Sequence, residues 1–489
     1  MNITSAVPPS PLVQLKRSNP FVREERWSAP SPAAEHVVLP IEVHLFEHAG
    51  VYFAFDVRNY AIFKIDASAA AVLSRMRTHS LDAIIDQLVP EFPRDIVRAQ
   101  YLRFLEMIRD GILSAKPLSS PRRPDFNRLV LMLAGGCNMG CSYCFEKDVP
   151  IYQNPNLMTK ARADEILDWF FKHQQGKTAH VQLYGGEALL NWTVLTYVVE
   201  KMESWAAANS IELTKYLITN GTLLDSERIT FLKSHRVTIQ VSVDGDEETH
   251  NRFRVFKSGK PTMARIKPNI DELNQQKADF NLRAVLTRQN KDPNAVVRGL
   301  RSLGAAKVSF EVVATDNYQA QFNDEDWEVF NEKYKDFVQS PFTIWHELPD
   351  EMQAMIIRIC EGKHVFYGCG AGISEVTVAP DGSIFECQRI YRTPYSNVAQ
   401  DKSPTELAST LLTMVDDRPI CQDCWARYLC GGGCMHQSHI GHGKDDPLPQ
   451  YCVMKRHLAE ASIVKIDEIR SLHAANINDT EATVCTTAT

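Results

Sequence analysis

The chain has 489 residues, enough for about three domains of ordinary size, with 60 acidic against 53 basic residues and a formal net charge of −7. Lysine and arginine are spread along it rather than gathered into a stripe, which argues against nucleic acid or an anionic membrane surface as a partner. The N-terminus lacks the order of a signal peptide and no run reaches the roughly 18 apolar residues of a membrane span, so a cytoplasmic location is expected. In that reducing compartment twelve cysteines point to metal or redox chemistry rather than disulfides.

Residues 1–38 are rich in proline, serine and charge and predict a disordered leader. Over 39–115, "IEVHLFEHAGVYFAFDVRNYAIFKID" alternates as a hairpin plus a third strand, and "ASAAAVLSRMR", "LDAIIDQLV" and "IVRAQYLRFLEMIRDGIL" have helical spacing. The prolines and serines of "KPLSSPRRPD" mark a linker over 116–126.

From 127 to 315 strands and helices alternate. "NRLVLMLAGG", "AHVQLYGG", "LTKYLITNG", "VTIQVSVDG", "NLRAVLT" and "KVSFEVVA" read as strands, with helices such as "KARADEILDWFFKHQ" and "WTVLTYVVEKMESWAA" between them. About six β-α units in a row predict an α/β fold with a parallel sheet, open or closed into a partial barrel. Such folds gather chemistry where their strands end. A helical connection over 316–359 precedes a cysteine-rich stretch over 360–460, and 461–489 reads as a helix end and disordered tail in which Cys485 is an incidental thiol.

The first strand of this series runs into "CNMGCSYCFE", which places Cys137, Cys141 and Cys144 at C-x3-C-x2-C. Three thiolates on a [4Fe–4S] cube leave one iron open to a substrate or cofactor. A zinc knob completed from elsewhere, or three core thiols, are the alternatives on spacing alone. The next strands end in Gly185, Gly186 and Glu187, then Thr219 to Thr222 around Asn220, then Ser242 to Gly245, so all four sets should meet on one rim.

The cysteine loop followed in order by "YGGE", "ITNGT" and "SVDG" resembles the radical S-adenosylmethionine (SAM) enzymes, whose fold is a partial (β/α)6 barrel. The resemblance implies that Cys137, Cys141 and Cys144 hold a [4Fe–4S] cluster whose open iron binds SAM, and that Tyr143 lies against the adenine. It implies that Gly185 and Gly186 admit the methionyl part, that Glu187 pairs with the ammonium, and that Asn220, Ser242 and Arg254 complete the cofactor contacts. Ala188 stands where members of the family often have proline.

Cys369, Cys387, Cys421, Cys424, Cys430, Cys434 and Cys452 match the seven-cysteine pattern of the SPASM extension found on peptide-modifying radical SAM enzymes. On residue type alone they could hold two zinc ions. The resemblance assigns Cys369, Cys387 and Cys434 to one auxiliary [4Fe–4S] cluster and Cys421, Cys424, Cys430 and Cys452 to a second. Cys360 either completes the first or is a buried structural cysteine. The unit over 39–115 resembles the winged-helix-like module that recognises leader peptides, by strand addition to its sheet edge.

Together the resemblances imply a maturase that binds a precursor peptide or small protein subunit through its leader and draws electrons from a flavodoxin or ferredoxin. A 5′-deoxyadenosyl radical would abstract hydrogen, and the product would be a cysteine sulfur-to-carbon thioether, as in sactipeptide, ranthipeptide and quinohemoprotein amine dehydrogenase maturases. The alternatives are a carbon–carbon link and sulfatase-maturase-like oxidation to formylglycine. Relatives of the latter type carry an aspartate after the second SPASM cysteine, where this chain has Gln388. A non-catalytic iron–sulfur or zinc protein is the remaining class.

Overall fold

The computed structural model describes residues 41–113, 118, 124–146, 156–342, 345–389, 396–402, 413–443 and 446–475. The expected leader over 1–38, most of the linker, and Cys485 with the tail beyond 475 lie outside them.

The first unit holds strands β1 (Val43–His48), β2 (Val51–Asp56) and β3 (Ile62–Ile65), paired antiparallel in that order, and helices α1 (Ala67–Leu73), α2 (Leu81–Leu88) and α3 (Arg94–Arg109). Alternation in "VYFAFD" sends Ala54 to the helices, where Val72, Ile84, Leu88, Val97 and Tyr101 are buried. Phe53 and Phe55 face the other way and join the core of the main body.

The main body is built on a nine-stranded sheet in which β4 (Arg128–Ala134), β5 (Thr178–Gly185), β6 (Glu212–Thr219), β7 (Val237–Ser242), β8 (Phe280–Leu286) and β9 (Lys307–Val312) run parallel in sequence order. Their helices are α4 (Lys160–His173), α5 (Trp192–Asn209), α6 (Ser226–Ser234), α7 (Glu247–Phe253), α8 (Met263–Gln275) and α9 (Pro293–Ser302). Thr159, Asp225, Asp246 and Asp292 cap α4, α6, α7 and α9 by accepting from backbone N–H groups of the first turn.

Alternate residues divide the sheet into two faces. Leu129, Leu131, Leu133, Val181, Leu183, Leu217 and Ile239 pack against Ile166, Phe170, Leu195, Val198 and Ile270 of the helices. The opposite face is mixed: Val130, Met132 and Tyr184 form a small apolar cluster with Phe385, while Gln182, Tyr216, Gln240, Arg283 and Glu311 line the cavity on it. The expected parallel (β/α)6 arrangement is the one observed.

Three short strands are not legible in the sequence. Within "EVTVAPDGSIFEC", β10 (Glu375–Val378) pairs parallel with β4 and β11 (Ser383–Phe385) pairs antiparallel with β10, and further on β12 (Ser396–Asn397) continues the sheet antiparallel. The sheet therefore extends into the cysteine-rich stretch, and the turn after β11 carries Cys387 back toward the barrel mouth.

Helices α10 (Asp324–Val338) and α11 (Asp350–Glu361) form the helical connection. The short helices α12 (Pro419–Gln422), α13 (Arg427–Cys430) and α14 (Met435–His442) follow, and α15 (Pro449–Ala475) packs against α10 and α11. The first unit docks here. The His44 ring stacks on Trp425 at 3.7 Å and 3°, Glu42 pairs with Arg427, and His44 bonds Glu460 at 2.9 Å. No helix among the described residues is long and apolar enough to cross a membrane.

Candidate active site

The ends of β4, β5, β6 and β7 surround a cavity of about 630 Å³. Its wall includes Cys137, Cys141, Cys144, Tyr143, Gly185, Gly186, Asn220, Ser242 and Arg254, so the four sets of motif residues do meet on one rim. The cavity also reaches Gln388 and Arg389, directly after Cys387.

The cysteine loop is held by backbone bonds to the segment after α7: Gly140 N–H donates to Val255 O at 2.8 Å and Ser142 N–H to Phe253 O at 3.2 Å. Burial, reinforced by the charge of Glu187, pushes the Cys137 thiol up to about 12, and burial pushes that of Cys141 to about 11. Cys144 is driven well up by burial and Glu146. Cys137 and Cys144 also feel neighbouring thiols of the loop as charges. A metal entering this site must displace their protons.

The glycine pair serves the loop. Gly185 has φ +143°, and a Cβ there would lie 2.4 Å from Ala134 O. At Gly186 a Cβ would lie 2.5 Å from Gly136 O and 2.9 Å from Cys137 N. What the missing side chains admit is thus the backbone that leads into Cys137, with Glu187 N–H donating to Gly136 O at 3.0 Å.

Glu187 departs from its expected place. It is 1% exposed and turns away from the cavity to accept from Leu189 N–H (3.0 Å), Thr219 Oγ1 (2.8 Å) and Asn220 N–H (2.8 Å). Burial raises its pKa, and these three bonds oppose the rise. Its carboxylate fixes the "TNGT" turn instead of facing a ligand's ammonium.

That turn grips the cysteine loop in its own right. Asn220 Nδ2 donates to Asn138 Oδ1 at 2.8 Å and lies 3.6 Å from Cys137 Sγ, while Asn138 Nδ2 donates to Thr222 Oγ1 at 2.8 Å. Sequence alone does not single out Asn138, because nothing in "CNMGC" marks it apart from any loop residue.

Asp244 is the functional residue that sequence reasoning misses. It sits in the quoted "SVDG", but a polar residue ahead of a glycine reads as a turn. Its Oδ2 accepts from Tyr143 Oη at 2.5 Å and stands 3.0 Å from Arg254 Nε, while Oδ1 accepts from Val285 N–H at 2.9 Å. The Arg254 contact is an ion pair off the hydrogen-bond direction, since Nε makes no hydrogen bond. Burial works against the Arg254 charge, and Asp244, with Tyr143 and Cys141, more than restores it. The guanidinium lies 5.4 Å from the Tyr143 ring centre.

On the opposite wall Arg389 and Arg283 share Glu311, at 2.6 and 2.7 Å from Arg389 Nη2 and 3.0 Å from Arg283 Nη2. Burial disfavours the Glu311 charge, but the two guanidiniums hold its pKa far down. The network ties the turn after Cys387 to β8 and β9, and Tyr184 donates to Glu146 beside it.

The remaining thiols fall into two groups. Cys387 is pushed up to about 12 by burial and by its neighbours Cys434 and Cys369. Cys421, Cys424, Cys430 and Cys452 line a second cavity of about 260 Å³, with Cys452 pushed up to about 12 by burial and the other three. Cys360, on α11, is partly buried and packs against the core. Among the described residues no three His, Cys, Asp or Glu side chains converge closely enough for a single metal ion. The donor set, three thiols on one wall of an open chamber, fits an iron–sulfur cluster with room for a small-molecule ligand.

The model of the radical SAM superfamily matches residues 131–297. Those residues are a radical SAM domain. The serine-type anaerobic sulfatase-maturating enzyme of Klebsiella aerogenes is 23% identical over 350 residues, spanning 67% of this chain and 85% of its own length. The cysteine-type enzyme of Clostridium perfringens (strain 13 / Type A) is 24% identical over 366 residues, spanning 70% of this chain and 98% of its own. The solved structure of histidine-tagged anSMEcpe with bound AdoMet superposes with a TM-score of 0.59 at 20% identity, covering 71% of this chain and 99% of that one, and shows the shared fold. The chain thus contains a radical SAM domain and is similar to these maturases over most of their length.

Proposed function

We propose that this radical SAM enzyme modifies a ribosomally made peptide or small protein, joining a cysteine sulfur to carbon. The observation that carries the reading is the single chamber that runs from Cys137, Cys141 and Cys144 to the turn after Cys387. A polypeptide segment placed there lies between two sets of thiols. When bound, SAM and a [4Fe–4S] cluster supply the hydrogen-abstracting chemistry. Cys137, Cys141 and Cys144 would hold that cluster, with Cys369, Cys387 and Cys434 holding a first auxiliary cluster and Cys421, Cys424, Cys430 and Cys452 a second.

The chain's own residues orient the reactants. Asp244 fixes Tyr143 and Arg254 on one wall, Glu187 and Asn220 fix the cysteine loop, and Arg389 fixes the opposite wall. The unit over 39–115 would take the precursor's leader along an outer strand of its sheet, close to the cysteine-rich region on which it docks. An external one-electron donor such as a flavodoxin or ferredoxin completes the system.

Sulfatase-maturase-like oxidation is a second reading, favoured by the two relatives' near-full length. Against it stands Gln388, whose amide is not a base at the position where such enzymes place an aspartate. Co-expression with a short open reading frame adjacent to the gene distinguishes them. A thioether lowers the peptide mass by two hydrogens and removes one thiol. Retention of that thiol, or a formylglycine aldehyde, contradicts the first reading.

A further inference from the structure

Cys421, Cys424, Cys430 and Cys452 share one cavity of about 260 Å³, although among the described residues no three His, Cys, Asp or Glu side chains converge closely enough for a single metal ion. Four thiols so arranged fit a group larger than one ion, a four-iron cluster closed by protein ligands alone. The charged part of the same wall is cationic. Arg427, Lys455 and Arg456 line the cavity, and among the described residues no carboxylate does.

The three cations are not equivalent. Arg427 is committed to Glu42 and Asp416, and Arg456 is partly exposed. Lys455 stands on α15 three residues after Cys452, with its side chain 9% exposed. Its Nζ reaches both carboxylate oxygens of Glu351, at 2.6 and 2.5 Å, and lies 5.0 Å from the Tyr451 ring centre, which fixes the ammonium on the wall. Glu351 does not cancel that charge at the cavity, because its side chain is 57% exposed and water screens it. Of the charges acting on Cys430, that of Lys455 is the largest and outweighs Glu351.

A cation in poorly solvated surroundings stabilises a cluster more after it has taken an electron than before, and net charge and solvent exposure are among the properties that set such potentials. We propose that Lys455 raises the reduction potential of the cluster held by these four thiols. It acts through its charge, not as a ligand, and biases this site toward its one-electron-reduced form. The inference rests on the iron–sulfur reading of the four thiols and adds to it the residue that tunes them.

The test is a redox titration with dithionite and mediators, followed by EPR, on the full chain reconstituted with iron and sulfide and with Cys137, Cys141 and Cys144 all changed to alanine. The signal of the four-thiol site is the one lost when Cys421 and Cys424 are changed to alanine as well. Lys455→Met should shift its reduction equilibrium about tenfold toward the oxidised form, a midpoint about 59 mV lower for one electron. Lys455→Arg keeps the charge and should stay within about threefold of the parent, and Glu351→Gln, which keeps the ammonium, should leave the midpoint unchanged or higher. Lys455→Gln stands in if the methionine variant does not retain the cluster. An unchanged midpoint in the uncharged variant overturns the proposal, and so does an equal drop in Lys455→Arg or Glu351→Gln. Loss of the cluster from both uncharged variants also overturns it, by making Lys455 a packing residue. Zinc in place of iron at the four thiols, read by metal analysis of the parent before any titration, overturns the iron–sulfur reading itself, and this inference with it.

Discussion

Cys137, Cys141 and Cys144 come from one loop at the end of β4, whereas Cys369, Cys387 and Cys434 reach one another from three separate segments of the chain. The two sets are secured differently. The loop is clamped by neighbours at successive strand ends, namely the glycine pair, Asn220 and the segment bonded to Gly140. The dispersed set depends on long-range contacts, with the turn after Cys387 tied to the barrel through Arg389 and Glu311. Local sequence can specify the first arrangement, while the second exists only once the sheet and the C-terminal helices have come together.

The comparison can be broken most severely on the loop side at Asp244. Asp244→Ala leaves Arg254, 8% exposed, without its counter-charge and should destabilise the fold by about 4 kcal/mol, read as a lower denaturation midpoint together with weaker SAM binding. Acid should act on the same wall. His250 is fully buried, its Nε2 lies 2.9 Å from Thr262 Oγ1, and burial lowers its pKa from 6.5 to about 4. The unfolded imidazole therefore binds a proton below 6.5 that the folded one refuses until about 4. Stability is lost as pH falls through that window, by about 3 kcal/mol in all, and a His250→Gln variant should show a flatter pH dependence of unfolding.

Gly186→Val tests the close approach. The added side chain meets Gly136 O and Cys137 N, so a cost of about 2 kcal/mol is expected, with lower iron retention at the loop than at the dispersed sites. The smallest effect belongs to the docking of the first unit. Trp425→Ala removes the stack on His44 and should loosen that unit by about 1 kcal/mol, measured as faster proteolysis within 41–113.

Much of this was legible because periodicity and motif order are local properties. Four of the six parallel strands announce themselves as apolar runs ending in glycine, and the thiol loop by its spacing. The strands β10 to β12 were missed because they have four, three and two residues, too short for a periodic signal, and because the pairing of β10 with β4 joins distant parts of the chain. The role of Glu187 could not be read either. A carboxylate after two glycines can turn to a ligand or to the backbone, and the N–H groups of Leu189 and Asn220 decide it. Asp244 is a partner to three groups brought in from elsewhere, and none of them is adjacent to it in sequence.

The central claim is that the loop thiols carry the cluster that initiates the chemistry and the other thiols carry separate clusters. Anaerobic reconstitution of wild type beside a variant with Cys137, Cys141 and Cys144 all changed to alanine tests it, by iron and sulfide content and by 5′-deoxyadenosine formed with a strong reductant. About twelve irons falling by about four, with product abolished, is the result this account predicts. Bound zinc in place of iron, or 5′-deoxyadenosine formed equally by the variant, would contradict it.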